Sequence, residues 1–469
     1  MVFNQKRVLC VLIFVQVILL GIWFYLRLYY WSGKVLRVVE VEESPLSFFS
    51  PFGKGVDFEI ANLLAKKHKL KLKWQRVPVF KDAFFLLKRG KVDVIVGVPT
   101  KIKINDPKLA KGPNYIKDNF LFIHNKYRYP LRRFDELCKY KVIVPLSSLS
   151  LLKIKEYDEV IFCPINYEVI QKREQDLYEL IAENKARFML TDKIRFNNLN
   201  PYFLDLRKTY EFKTKFSHVW IWTKQYKKLN KMLEEFWHSP QTKEFIDATR
   251  EIYYGFFRDN VDYYQLEHLR MVIRKKLPLY EQYILDACQK FSLDPLFLIA
   301  QIYQESHFNP KARSRTGVRG LLQLSLNTAS WIGIDNRLNP RQSILGGAKY
   351  MAFLVDRIAK RGVKGWNKWC MALAAYNQGL GHLYDAMDLV KLQGKDASLW
   401  SNVKEVYPLL SYRKYYKKSR YGYCRGYEAI TYVQNVRYYY YMLSLLAFFG
   451  GGEGDYLRSF FPFRPNSWL

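Results

Sequence analysis

A glutamate at the end of an apolar helical pattern is the first residue in this sequence whose position favours acid chemistry. An almost continuous apolar run, Leu296 to Ile302, ends shortly before Glu305 in the stretch AQIYQESHFNP. Asp294 and Pro295 precede the run as a helix N-cap and a first helical residue. On such a helix Glu305 shares the buried face and lies in the last turn, where burial and the helix dipole both favour a protonated carboxyl. A general acid requires a carboxyl of this kind.

Two further polar clusters follow along the chain. Residues 316–324 read TGVRGLLQL, in which Gly320 permits close backbone approach and Gln323 offers an amide to a ligand. The stretch AAYNQG then places Tyr376 and Asn377 at the end of another apolar helix. Each cluster also has an ordinary structural interpretation, since glycine turns and helix-terminal Tyr-Asn-x-Gly sequences occur without a ligand. Glu305 could likewise pair with an arginine or emerge into solvent.

Taken in this order, the clusters resemble the lysozyme-like domain of the soluble lytic transglycosylase family. The motifs of that family are Glu-Ser, Gly-Leu-Met-Gln-Leu/Ile and Ala-Tyr-Asn-x-Gly. They are similar here to Glu305-Ser306, to residues 320–324 with Leu322 in place of Met, and to residues 375–379. A fourth family element, a Glu with Tyr-Val four residues later, resembles the sequence from Glu428 to Val433.

The resemblance covers residues 266–447 and implies an all-α, lysozyme-like catalytic domain that acts on peptidoglycan in cell-wall remodelling or turnover. It implies that Glu305 is the only catalytic carboxyl. It also implies substrate-binding roles for a further set of residues, namely Ser306, Gln323, Tyr376, Asn377 and Glu428. The helix-after-helix pattern of this region independently predicts an all-α domain.

The distribution of acidic residues agrees with the one-carboxylate reaction that the resemblance implies. Glycosidases ordinarily use two, but the next acidic residue after Glu305 is Asp335, beyond the glycine-containing motif. We expect Glu305 to protonate the glycosidic oxygen between N-acetylmuramic acid and N-acetylglucosamine. The same residue then takes the proton of the C6 hydroxyl as that hydroxyl attacks C1, giving a 1,6-anhydro sugar.

Two alternatives bear on this hypothesis. Hydrolysis of the lysozyme type competes if Asp335 reaches the site. A solute or muropeptide sensor, whose C-terminal domain binds glycan without cleaving it, is the alternative from a different functional class. The sequence contains no metal-binding cluster and no phosphate-binding glycine loop, so we expect no cofactor and no metal.

Strand and helix patterns alternate between residues 33 and 258. KVLRVVEVEE, KLKWQRVPV and KVDVIVGV predict strands, with the helical patterns GVDFEIANLLAKKHKL and FKDAFFLLKRG between them. YKVIVPL, LYELIAENKARFMLTD and HVWIWT continue the alternation, and LNKMLEEFWHSPQTKEFIDATREIY predicts a closing helix. The alternation predicts an α/β domain with a parallel sheet. YYGFFRDNVDYY then serves as a linker, and the tail, residues 448–469, shows no periodicity.

The segments GVDFEI, GKVDVIVG and GPNY resemble motifs of the family-three solute-binding proteins, which bind amino acids between two α/β lobes. The resemblance implies a two-lobed, periplasmic-binding-protein-like regulatory domain with a site for a muropeptide or a small ligand. The arginine with which that family clamps the ligand carboxylate aligns with Ile104, and Lys103 is the nearest substitute. Amino-acid binding, peptide sensing and a structural role therefore stay open as alternatives.

Residues 1–30 predict a signal or membrane-anchor segment. Lys6 and Arg7 precede an uncharged apolar run, residues 8–26, which is long enough to cross a bilayer. Bulky residues fill the place of a small-x-small cleavage site, so we expect an uncleaved anchor with the N-terminus in the cytoplasm; a cleaved signal is the alternative. The rest of the chain is then exported to the periplasm. An anchor favours the inner membrane, whereas the resemblance implies the periplasmic face of the outer membrane.

The charge content indicates which class of partner the protein binds. Lys and Arg outnumber Asp and Glu by 75 to 43, but they are scattered along the chain and form no recognisable nucleic-acid module. We therefore expect an anionic envelope, including peptidoglycan and a membrane, as the partner, and no nucleic acid. The six cysteines show no metal spacing, and we expect them to be small buried side chains in preference to any particular disulfide pair.

Overall fold

The computed structural model describes residues 15–20, 33–147, 150, 153–155, 163–258 and 261–461. Of the predicted anchor segment, residues 15–20 are helical; its remainder and the end of the tail, residues 462–469, lie outside the described residues. Among the described residues, no helix combines the length and hydropathy that a membrane span needs. The chain divides into two compact units. Unit 1 comprises residues up to 48, 56–195 and 207–246, and unit 2 comprises residues 49–55, 196–206 and 247 onward.

Unit 1 is built, in its described residues, on a nine-stranded sheet in the order β2-β1-β3-β9-β5-β8-β6-β7, with β4 paired to β9. The strands are β1 (Val35–Val41), β2 (Lys71–Val77), β3 (Val94–Pro99), β4 (Leu109–Lys111), β5 (Ile116–Asn125), β6 (Val142–Pro145), β7 (Tyr167–Ile170), β8 (Phe188–Asp192) and β9 (Leu206–Thr223). Strands β3, β6 and β8 are buried along their whole length, which explains their unbroken apolar sequences.

The sheet is mixed, whereas the alternating pattern predicted a parallel one. β1 pairs in parallel with β2 and β3, and β6 pairs in parallel with β7 and β8. β9, however, runs antiparallel to β3 and β4, and β5 runs antiparallel to β8. The residue pattern of a strand indicates its burial, but its direction is set by the connections between strands, so the sequence missed these antiparallel pairs.

Seven α-helices with described bounds lie between the first strand and residue 254, and residues 150 and 153–155 are helical as well. The seven are α1 (Val56–Lys67), α2 (Phe80–Lys88), α3 (Glu136–Lys139), α4 (Glu174–Ala182), α5 (Lys193–Leu199), α6 (Lys227–His238) and α7 (Pro240–Tyr254), among the described residues. The sequence predicted α6 and α7 as one helix. That prediction is wrong because Pro240 cannot donate a backbone hydrogen bond inside a helix, and it starts a new helix behind Ser239 instead.

The cysteines do not all behave as predicted. Cys138 and Cys163, both in unit 1, form a disulfide bond. The expectation of small buried side chains is wrong for this pair, because residues that are 25 positions apart in sequence are brought together by the fold. It is confirmed for Cys288, Cys370 and Cys424, which are buried free thiols.

Unit 2 is helical. Its helices are α8 (Tyr263–Lys275), α9 (Glu281–Phe291), α10 (Pro295–Ser306), α11 (Leu326–Ile332), α12 (Pro340–Ala359), α13 (Gly365–Gln378), α14 (Leu380–Leu392), α15 (Trp400–Val406), α16 (Arg413–Tyr416), α17 (Gly426–Phe449) and α18 (Glu453–Arg458). Helix α17 is apolar on all sides for most of its length and packs against α10 and α13. This packing brings the last turn of α10 next to the first turns of α17.

Candidate active site

Helix α10 carries Glu305 to the edge of the unit 2 core. Asp294 caps the helix, since its Oδ1 accepts a hydrogen bond from the backbone nitrogen of Leu296 at 2.8 Å, as the sequence predicted. Every residue from Pro295 to Tyr303 is buried. The helix ends at Ser306, because His307 adopts a left-handed conformation with φ of 49°. Glu305 is therefore the penultimate residue of a buried helix.

The environment of Glu305 keeps its carboxyl protonated at neutral pH. Burial raises the pKa of Glu305 to about 8, and a hydrogen bond from Tyr432 opposes part of that rise. The residue as a whole is partly exposed. A carboxyl that is protonated at neutral pH has the property that a general acid needs.

Two side chains, those of Tyr432 and Gln301, form a hydrogen-bonded chain that ends at the Glu305 carboxyl. The Tyr432 hydroxyl donates to Glu305 Oε1 at 2.6 Å, and Gln301 Nε2 donates to the Tyr432 oxygen at 3.3 Å. Tyr432 is 4% exposed and Gln301 is fully buried. A tyrosine hydroxyl has a single hydrogen, so accepting from Gln301 leaves that hydrogen for Glu305.

The sequence motifs did not indicate that Gln301 contacts Tyr432, or that Tyr432 contacts Glu305. One signal for Gln301 was available: it is the only polar residue between Pro295 and Ile302, and it lies one helical turn before Glu305. A buried amide in an apolar run needs a hydrogen-bond partner, which here is Tyr432. The position of Tyr432 follows only from the packing of α17 on α10.

The other motifs interlock around the loop at residues 320–324. Ser306 Oγ donates to the carbonyl of Leu321 at 2.9 Å, and the Tyr376 hydroxyl donates to the carbonyl of Leu322 at 2.8 Å. Gln323 Nε2 donates to the carbonyl of Gly320 at 2.8 Å. The structure thus brings together the first three predicted motifs, and the hydroxyls of Ser306 and Tyr376 support the loop backbone.

Gly320 is required by the geometry of this loop. Its φ is 85°, in the left-handed region, and a Cβ built on it would lie 1.9 Å from the carbonyl oxygen of Arg337. Leu322, the residue at the family's Met position, packs on the backbone of Gly347, where an added Cβ would lie 2.4 Å from the leucine side chain. The first contact fixes the loop against the segment before α12, and the second fixes it against α12 itself.

The remaining predicted residues lie in more open positions. Asn377 is exposed at the end of α13 and accepts a hydrogen bond from Gln378 Nε2 at 2.8 Å. Glu428 is exposed in the first turn of α17, where it pairs with Arg425 at 3.1 Å. Because Glu428 precedes Tyr432 by four residues, the two side chains share a face of that helix.

No second carboxylate accompanies Glu305 among the groups that set its pKa. Asp335 is exposed, and the pKa of Glu305 is set by burial and by Tyr432. Within the described ranges, no group of three or more His, Cys, Asp and Glu side chains is arranged to hold a metal ion.

Comparisons with known proteins cover both halves of the chain. The family described as Transglycosylase SLT domain matches residues 282–398. A protein of Shewanella loihica named membrane-bound lytic murein transglycosylase F is 33% identical over 392 residues, covering 82% of this chain and 80% of that protein. A protein of the same name from Photobacterium profundum is 32% identical over 393 residues, covering 82% and 75%.

Two solved structures align with about half of the chain. The P235GK mutant of ArgBP from T. maritima aligns with a TM-score of 0.40 and 17% identity, over 48% of this chain and 96% of that chain. An ancestral arginine-binding protein bound to arginine aligns with a TM-score of 0.38 and 20% identity, over 47% and 98%. The similarity to the two transglycosylases includes residues of both units, because it covers 82% of the chain and each unit is smaller than that.

Proposed function

The chain belongs to the family of membrane-bound lytic murein transglycosylase F, and we propose that Glu305 is both the acid and the base of its reaction. The protein is a peptidoglycan lytic transglycosylase that acts in the cell envelope. The observation that carries the proposal is the pKa of Glu305, which burial raises to about 8 next to the hydroxyl of Tyr432. At neutral pH the carboxyl therefore starts the reaction protonated.

In the first step, Glu305 donates its proton to the glycosidic oxygen that joins N-acetylmuramic acid to N-acetylglucosamine. The bond between that oxygen and C1 breaks, and positive charge develops on the muramic acid ring. Glu305 is left as a carboxylate, and the hydroxyl of Tyr432 stabilises it by donating a hydrogen bond.

In the second step, the C6 hydroxyl of the same muramic acid attacks C1 while Glu305 takes the hydroxyl proton. The new bond joins O6 to C1, the product ends in a 1,6-anhydro sugar, and Glu305 is protonated again. Because the nucleophile belongs to the substrate, its effective concentration is high and neither water nor a second carboxylate is needed.

We propose two kinds of supporting residue around Glu305. Ser306 and Tyr376 position the loop at residues 320–324 by donating to its carbonyls. Gln323, Asn377 and Glu428 bind the sugar, the last two from exposed positions at the ends of α13 and α17. Gln301 positions Tyr432, since its amide donates to the hydroxyl that faces Glu305.

We also propose that unit 1 holds a site for a muropeptide or another small ligand. Free amino acids are disfavoured, because Ile104 packs with an apolar cluster and Lys103 is exposed, so neither supplies a fixed cation for a ligand carboxylate. Titration calorimetry of the intact protein with a muropeptide and with arginine tests this. Heat of binding with arginine alone would contradict it.

For localisation, we propose the periplasm with attachment to a membrane through the N-terminal segment. The disulfide between Cys138 and Cys163 supports an oxidising compartment, in which such bonds persist. Which of the two envelope membranes is involved can be tested by fractionation of inner and outer membranes.

The decisive experiment for the reaction is mass spectrometry of the products released from purified sacculi by the parent protein and by Glu305→Gln. We expect anhydro-ended muropeptides from the parent and none from the variant, which keeps the shape of the side chain but loses its acid. Reducing-end products would instead show hydrolysis. Release by neither protein, under conditions where another transglycosylase works, would favour a sensor.

A further inference from the structure

A dense group of cations lies on unit 2 just before α17, although the sequence analysis expected the positive charges to be scattered. Residues 412–427 contain no Asp or Glu. The exposed cations of this segment that form no ion pair with a described carboxylate are Arg413, Lys414, Lys417, Lys418 and Arg420. Unpaired cations that stand this close together repel one another, and an anionic partner would relieve that repulsion.

Exposed tyrosines lie among these cations. Their side chains are 49–60% exposed, and they are Tyr412, Tyr421, Tyr423 and Tyr427. We call the five cations and four tyrosines together the basic aromatic surface. Exposed tyrosine offers apolar contact area with a polar end, which suits a partner that is part carbohydrate and part peptide.

The backbone of this surface is fixed by unit 2. The carboxylate of Asp385 accepts hydrogen bonds from the backbone nitrogens of Arg420 at 3.0 Å and Tyr421 at 2.9 Å. The Tyr421 ring lies against α14, since a Cβ on Gly381 would be 2.5 Å from that ring. A surface held in this way binds a partner with less loss of chain entropy than a flexible loop.

The surface adjoins the candidate active site at two points. Cys424 Sγ contacts Gln378 Oε1 at 3.6 Å, and Gln378 follows Asn377 directly. At the other point, Tyr427 directly precedes Glu428 in the first turn of α17, and Glu428 shares a face of that helix with Tyr432. A glycan strand placed at Glu305 can therefore extend over this surface.

We propose that the basic aromatic surface binds the carboxylates of the stem peptides on the glycan strand that is being cleaved. The inference rests on the proposed function, since it takes peptidoglycan cleavage at Glu305 as given. Stem peptides supply several carboxylates along each strand, and they are the anionic groups of the substrate nearest to the sugars. The surface thus makes the enzyme prefer peptide-bearing strands over bare glycan.

The test compares two substrates and two matched variants of the intact protein. One variant replaces Lys414, Lys417, Lys418 and Arg420 with glutamine. The control makes the same change in net charge elsewhere on unit 2, at four exposed lysines, namely Lys290, Lys360, Lys364 and Lys391. The substrates are intact sacculi and glycan strands stripped of peptide by an amidase, with the lactyl carboxylates that the amidase exposes converted to methylamides. Anhydro-ended products are counted for each substrate.

We expect the surface variant to lose about tenfold in rate on sacculi at low salt, a loss that shrinks as salt rises, because exposed charge pairs are screened. On stripped strands it should match the control. Equal losses on both substrates, or no loss on either, would overturn the proposal. So would a loss that is confined to binding of phosphatidylglycerol vesicles, which would assign the surface to a membrane. An inactive parent protein on both substrates would instead refute the proposed function.

Discussion

The hydroxyl of Tyr432 donates a hydrogen bond to Glu305 Oε1 at 2.6 Å across a sequence separation of 127 residues. Two opposing effects meet in this contact. Withdrawal of the carboxyl from water raises the pKa of Glu305, and the donated hydrogen bond lowers it, leaving a value of about 8. That balance suits the role proposed for Glu305, which gives up a proton in one step and takes one back in the next.

Removing the Tyr432 hydroxyl should move the pH dependence of the reaction. In Tyr432→Phe the carboxylate of Glu305 loses its donor, so the pKa of Glu305 rises further. Because the first step needs the protonated acid, the alkaline limb of the kcat/KM profile should shift to higher pH, while the rate falls as the carboxylate intermediate is destabilised.

The measurement is a pH–rate profile on sacculi. Tyr456→Phe is a matched control, since its hydroxyl also donates to a glutamate, Glu281, at 2.7 Å, outside the candidate site. A profile of Tyr432→Phe that coincides with the parent's would refute a role for the bond in setting the acid.

Gln301→Leu should act on Glu305 only through Tyr432. Losing the amide donor frees the tyrosine hydroxyl to rotate, so we expect a smaller shift of the alkaline limb in the same direction. In the Tyr432→Phe background the same substitution should cause no additional shift, because the residue it positions is gone. An additive shift in the double variant would mean that Gln301 influences Glu305 by another route.

The raised pKa of Glu305 should lower the stability of the folded protein at alkaline pH. Its folded pKa is raised above the ordinary value of 4.5 to about 8, so the folded state keeps a proton that the unfolded state loses. The cost is absent below pH 4.5, grows between pH 4.5 and 8, and is constant above that. Glu305→Gln should therefore raise the Tm, and more at pH 8.5 than at pH 4.5.

Thermal unfolding at both pH values measures this difference. Glu428→Gln replaces a carboxyl that is exposed at the surface, and its Tm should stay close to the parent's at each pH. An equal gain of Glu305→Gln at both pH values would show that packing, and not the ionisation of Glu305, accounts for the effect.

Alanine at Gly320 should destabilise the loop more than alanine at Gly317. Both glycines have φ above 80°, which costs an alanine ~1–2 kcal/mol. Only at Gly320 would the new Cβ also collide with a backbone atom, the Arg337 carbonyl oxygen at 1.9 Å; at Gly317 nothing lies within 4 Å. Chemical denaturation and activity assays should give Gly320→Ala the larger loss in both, and equal losses would contradict the steric argument.

Local sequence was sufficient for features that depend on neighbours along the chain. The cap at Asp294, the buried run behind it and the position of Glu305 in the last turn all follow from helical periodicity, and the structure has them. The strand–helix alternation that begins at β1 was predicted in the same way. Burial explains these successes, because it leaves an apolar pattern that can be recognised without knowing the partner.

The features that the sequence did not supply depend on groups far apart in the chain. Tyr432 contacts Glu305 because α17 packs on α10. Cys138 and Cys163 form a disulfide because the fold places two positions close together that are 25 residues apart in sequence. The direction of β9 depends in the same way on its connections. The sequence thus determined which carboxyl is withdrawn from water, since that follows from one helix. Tertiary structure decided that Tyr432 donates the hydrogen bond that lowers the pKa of Glu305, because such a bond forms only at a distance that the packing of the helices sets.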